Sequence, residues 1–252
     1  MKRSGIGVVA ALAVAAAVGG DAVAQSARAA APVDLAGYWA SVVTEDWPWR
    51  MHTPPKGDYA SLPLNAEGKR IADTWTETLD GSCLAFGAAA VLRMPTRVRI
   101  TWQDGTTLKL ETDNGQQTRL FHFGTAARVN AGAARSLQGH SIAEWQVADV
   151  VRARGNEGGE SSARVSEGSW TPLKVTTTNL TAAWLRPNGV PVSENAVVTE
   201  YFDWFSEGAE QWFVVTTMVD DPTYLTERLV ISSNFRREPN GAAKWAPRPC
   251  RA

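Results

Sequence analysis

Residues 45–59 read EDWPWRMHTPPKGDY and set Glu45, Asp46, Trp47, Trp49, Arg50, His52 and Tyr59 into one short run. Indole rings give large, stiff apolar walls with one N–H donor, suited to gripping a ring or a sugar. A guanidinium beside them can hold a carboxylate through two parallel hydrogen bonds, or stack on a ring. In an extended chain Trp47 and Trp49 share one side, and Pro48 between them bars a central-strand position. The segment is therefore expected at the rim of a pocket, with His52 and Pro54-Pro55 continuing it as a loop. The candidate ligand-binding residues are Trp47, Trp49, Arg50, Tyr59 and Trp102. The plainer reading is that the rings cap a core, that Glu45 and Asp46 are solvated, and that Asp58 caps the turn at Lys56-Gly57.

The other chemistry the composition offers is proton transfer. His52, His122 and His140 are the three histidines, and none lies two or four positions from another, so no local metal-ligand pair is formed. No metal is expected. Glu200 stands in VTEYFDW on the face that carries Val198, Phe202 and Trp204, and a carboxylate on an apolar face needs a partner or a raised pKa. An inward His122 could supply that partner, giving an acid–base pair for isomerisation, elimination or hydrolysis, with His52 or Asp46 as further candidates. The rivals are a satisfied core histidine and an ordinary buried ion pair.

Several activities are excluded by absence. The chain has no G-x-S-x-G elbow, no H-E-x-x-H, no phosphate loop and no G-x-G-x-x-G, so no nucleotide or other cofactor is implied. Lys2 and Arg3, the apolar stretch 6–18 and Ala22-Val23-Ala24 have the order of a secretory signal peptide, cleaved after residue 24. A mature domain over 25–252, periplasmic or secreted, is expected, with no integral membrane segment. Its formal charge is about −2, which argues against a nucleic-acid partner. In an oxidising compartment Cys83 and Cys250 are expected to pair and pin the C-terminus to the body.

Period-two alternation broken by Gly, Asn and Asp dominates the remainder, the signature of strands joined by tight turns. Strands are expected over 35–44, 97–102, 106–112, 116–123, 140–151, 173–178, 182–186, 197–205, 211–219 and 225–235. One helix is expected over 65–79 behind an Asn65 cap, with Ile71, Trp75 and Leu79 on one face. Residues 152–169 read as a long loop. The loop at Asp113-Asn114-Gly115 leaves two registers open. Three loop residues put His122 inside with Leu108 and Leu110; two put Arg119, Phe121 and Phe123 there. The first repeats the preceding turn and is preferred. These elements make an all-β, single antiparallel barrel of about ten strands, with one helix after the first strand.

Gly37-Tyr38-Trp39 on the opening strand resembles the G-x-W signature of the lipocalin-type barrel. The resemblance implies that Trp39 closes one barrel end and that an Arg of the last strand, Arg228 or Arg236, packs over it. The length of the chain and its early helix depart from that family. The D-W-x-W-R and P-P-K-G-D-Y segments are similar to those of uncharacterised exported bacterial proteins, a likeness that carries no activity. Together these features lead to an expected carrier of a small apolar or aromatic molecule, with a cofactor-independent exported enzyme as the alternative.

Overall fold

A computed structural model describes residues 26–127, 132–146 and 171–251. The expected signal peptide, the expected 152–169 loop and the end of the expected 140–151 strand lie outside them. Nine strands form a closed barrel: β1 Gly37–Val42, β2 Arg97–Trp102, β3 Thr107–Thr112, β5 Thr118–Phe123, β6 His140–Trp145, β7 Leu173–Thr178, β10 Val197–Glu207, β11 Glu210–Asp220 and β12 Leu229–Arg237. Around the ring the order is β1-β12-β11-β10-β7-β6-β5-β3-β2, and β2 returns to β1. Two short pairs sit outside it: β8 Ala183–Arg186 with β9 Val190–Val192, and β4 Asn114–Gly115 with β13 Arg248–Pro249.

The expectation of about ten antiparallel strands is corrected on both counts. The 182–186 strand leaves the barrel to form its own hairpin with β9, leaving nine. Nine strands cannot alternate in direction all round a closed ring, so one neighbouring pair has to be parallel. That pair is β5–β6. A parallel pair needs a crossover longer than a hairpin turn, and the chain between Phe123 and His140 provides it.

The barrel interior is packed with side chains. Trp39 meets Phe213 edge-on with ring centroids 4.8 Å apart, Phe213 stacks on Phe235 at 4.8 Å, and Phe202 and Phe121 continue the cluster at tilted angles. Such pairs contribute roughly 0.5–1.5 kcal/mol each beyond their burial. Trp39 donates from Nε1 to Leu35 O at 2.9 Å, which satisfies its one polar atom. The residue over it is Arg237, its cross-strand partner, with the guanidinium 5.4 Å from the ring. Arg228 and Arg236 do not take that role; both are exposed, on Asp220 and Glu210 respectively.

The register of β5 follows neither loop length: Glu111 pairs with Thr118 and the Thr112 amide donates to Gln117 O, so four residues, 113–116, make the turn, and the inward face is the one a two-residue loop implied. Leu110 pairs with Arg119 and Leu108 with Phe121, so Arg119, Phe121 and Phe123 face inward and His122 faces out. The preferred three-residue loop fails because its residues answer to distant partners. Asp113 Oδ1 accepts from the Arg97 amide at 2.8 Å and from Thr96 Oγ1 at 3.0 Å. Asn114-Gly115 pairs with Arg248-Pro249, and a side chain at Gly115 would overlap Phe86.

The C-terminal strand β13 is held by the Cys83–Cys250 disulfide and by the Cys83 amide donating to Arg251 O at 2.8 Å. The expected helix is shorter than read: α2 spans Ala66–Ala72, capped by Asn65 Oδ1 accepting from the Gly68 amide at 2.8 Å, and Trp75 follows it, buried. The hairpin β8–β9, α2 and the buried stretch from Ala88 to Leu92 close the barrel end from which Arg97 starts β2. No helix among the described residues is long and apolar enough to cross a membrane.

Candidate functional site

Two clusters hold the charged residues singled out above. The first is inside the barrel. Arg119 donates from Nη1 to Glu200 Oε1 at 2.8 Å and from Nη2 to Glu200 Oε2 at 2.6 Å, and both side chains are wholly buried. Thr177 Oγ1 takes a further bond at 3.2 Å and is itself 2.7 Å from Ser141 Oγ. This is a buried, bidentate ion pair, the rival that the sequence left open. The His122–Glu200 pair is not formed. His122 stacks instead on His140 on the outer wall, with ring centroids 5.0 Å apart, and burial together with His140 lowers its pKa. His52 is exposed.

The second cluster is built by the opening segment, at the barrel base. Asp46 takes a left-handed backbone (φ 54°) and starts a single helical turn, α1 Trp47–Arg50. Positions two apart on a helix point in nearly opposite directions, so the two tryptophans part company. Trp47 is 61 % exposed, whereas Trp49 turns in and donates from Nε1 to Asp58 Oδ2 at 2.8 Å. The expectation of two rings on one side assumed an extended chain and is corrected by that turn. Next, the chain reverses at Pro55-Lys56-Gly57-Asp58, where Gly57 at φ 88° supplies the positive φ of a type II turn. Asn188, fully buried at the tip of the β8–β9 hairpin, ties this turn down by donating to Pro55 O and Asp58 O, each at 3.1 Å.

Between α1, the hairpin tip and the start of β12 lies a cavity of about 40 Å³ for the centre of a water-sized sphere. That is room for a few waters or a small polar group. Trp49, Leu62, Met94, Leu185, Leu229 and Ile231 give it apolar walls; Arg50, Arg93, Arg186 and Asp46 give it charge. Arg93 binds Glu45 Oε1 at 2.9 Å and contacts Asp46 Oδ2 and Ser232 O. Arg50 donates from Nε to Arg93 O at 3.0 Å and from Nη1 to Glu45 Oε1 at 3.0 Å. Its Nη2 is buried with no acceptor among the described residues, and so is Arg186 Nη1. The Arg186 guanidinium lies over Trp49, 5.1 Å from the ring centroid.

No family model, curated protein or solved structure matches the chain. The site therefore has to be read from its own chemistry. Burial, with Arg93 adding repulsion, brings the Arg50 guanidinium down to about 10, and Glu45 and Asp46 offset only part of this. Burial lowers Arg186 as well, against the pull of Asp58 and Asp46.

Of the five expected ligand-binding residues, Trp49 and Arg50 line this cavity. Tyr59 packs nearby and spends its hydroxyl on Asp73 at 2.8 Å, and Trp47 points to solvent. Trp102 ends β2 beside Phe123, at the opposite end of the barrel. Asp46 lines the cavity as a partner of Arg93, not as a neighbour of a histidine. Arg93 and Arg186 had not been singled out. Arg186 carried one usable signal, its place beside the Pro187-Asn188-Gly189 turn; Arg93 carried none, because only folding brings it to residue 45. Among the described residues no three His, Cys, Asp or Glu side chains gather in a way that could hold a metal ion.

Proposed function

We propose that this chain is an exported, lipocalin-like binding protein for a small molecule with an apolar or aromatic part. Its ligand site is the Trp49 cleft at the barrel base, not the barrel interior; the cavity takes the small polar end of the ligand, and the larger apolar part lies outside it. The observation that carries this reading is the contrast between the two spaces. The interior is taken up by Trp39, Phe121, Phe202, Phe213 and Phe235, whereas the cleft offers one ring face and aliphatic walls around a cavity. Export is supported by the leader-like first 24 residues and by the Cys83–Cys250 bridge, which belongs to an oxidising compartment. The enzyme alternative relied on a His122–Glu200 pair, and those residues lie on opposite faces of the barrel wall.

The test is tryptophan fluorescence of the full mature chain, titrated with a panel of small aromatic, terpenoid and fatty-acid compounds. Saturable quenching is expected, lost in Trp49→Ala and kept in Trp102→Phe. Quenching that survives Trp49→Ala but disappears in Trp102→Phe would move the site to the other barrel end and overturn the proposal.

A further inference from the structure

The chemistry of the cleft goes further than its apolar walls. A buried N–H without an acceptor is costly, more so in a charged group, and folded proteins rarely leave one. Here two such donors belong to arginines that line one small cavity. Arg50, whose side chain is 1 % exposed, has its Nε and Nη1 bound and its Nη2 unpartnered. The Arg186 guanidinium sits over the Trp49 ring, and its Nη1 lacks an acceptor. The carboxylates at hand are already engaged: Asp46 and Glu45 on Arg93, Glu45 also on Arg50, and Asp58 on the Trp49 indole.

We propose that the cleft binds a compact oxyanion, a carboxylate or a phosphate group, between Arg50 Nη2 and Arg186 Nη1. A carboxylate or phosphate offers more than one acceptor oxygen, so a single anion can answer both donors with charge-assisted bonds. Trp49 would lie against whatever ring or chain carries the anion. Both nitrogens are shielded from bulk solvent, so entry involves a side-chain shift of Arg186, the less tied of the two arginines. This inference rests on the cleft being the ligand site.

Titrating the full mature chain with benzoate, neutral benzamide and inorganic phosphate at constant ionic strength tests it, read by calorimetry and Trp fluorescence. Benzoate or phosphate should bind saturably, at least tenfold tighter than benzamide binds, and Arg186→Gln should weaken that binding tenfold or more. Benzoate without phosphate would identify a carboxylate ligand; phosphate without benzoate, a phosphoryl one. Arg186→Lys keeps the charge and buried stem if the Gln variant fails to fold, and should lose three- to tenfold through loss of the fork. Equal binding of benzoate and benzamide, quenching Trp49 and indifferent to Arg186, would overturn the oxyanion while leaving the cleft as a ligand site. Anion binding unchanged in both Arg186 variants, or absent from the wild-type chain, would also overturn it. The wider ligand panel with Trp49→Ala then decides the cleft separately.

Discussion

Replacing Glu200 by Gln should destabilise the protein more than almost any other single polar substitution. Both members of the Arg119–Glu200 pair are wholly buried and joined by two short charge-assisted bonds. The carboxamide loses the charge and turns an NH2 toward a guanidinium N–H. Arg119 is then a buried cation with Thr177 as its main remaining acceptor, and its Nε already lacks one. Breaking such a pair from one side costs about 3–5 kcal/mol, whereas replacing both members by apolar groups is neutral or stabilising. With a urea dependence of about 2 kcal/mol per molar, the single change lowers the unfolding midpoint by roughly 2 M. The assay is equilibrium urea unfolding of wild type, Glu200→Gln, Arg119→Met and Arg119→Met/Glu200→Leu. The double variant should recover most of what either single loses. A single-variant loss under about 1 kcal/mol, or a double variant no better than the worse single, would refute the account of this pair as a buried, mutually dependent ion pair.

Reduction or Cys250→Ser should free the β13 segment and lower stability by up to about 5 kcal/mol, from a closed loop with a sequence separation of 167. Calorimetric melting with and without reductant checks this, and identical melts would contradict it. His122 titrates lower when folded than its ordinary 6.5, through burial and His140, so the unfolded chain binds more protons around that pH. Stability should therefore fall as pH drops below about 6.5, and melting temperature against pH should flatten over that range in His122→Gln. Gly189→Ala places a Cβ at φ 82° and against Trp75, costing at least about 1–2 kcal/mol from the backbone alone. By displacing the Asn188 tip it should also weaken ligand quenching of Trp49, measured in the same titration.

The strands were legible because their alternation is local. Arg97–Trp102 and Leu173–Thr178 occupy the expected positions, and the Asn65 cap is where a helix start was read. The register of β5 was not legible, since Asn114 and Gly115 are shaped by Arg248-Pro249 and Phe86. The same holds for the β8–β9 hairpin, whose tip looks like a solvent turn until Asn188 is seen buried beneath residues 55–58. At the site, Trp49, Arg50 and Asp46 come from one segment and could be read together. Their partners Arg93 and Arg186 are brought in by the β1–β2 connection and the hairpin, which only tertiary packing places. Helical turn against extended chain at Trp47–Arg50 was a four-residue decision, too short for periodicity to settle.

The closing seam of the barrel sets the order in which the protein can be made. β1 needs both β2 and β12, and Trp39 is roofed by Arg237 from the final barrel strand. A chain growing from its N-terminus therefore keeps one side of β1 unpaired until residue 237 has emerged, and Cys83 waits longer still for Cys250. Pairings across so much sequence are slow to find. A chain cut after β11 would expose two bare strand edges, one on β1 and one on β11, each a template for pairing with another copy. Synthesis has to be nearly complete before this barrel can close, and an interrupted chain is an aggregation hazard rather than a smaller working protein.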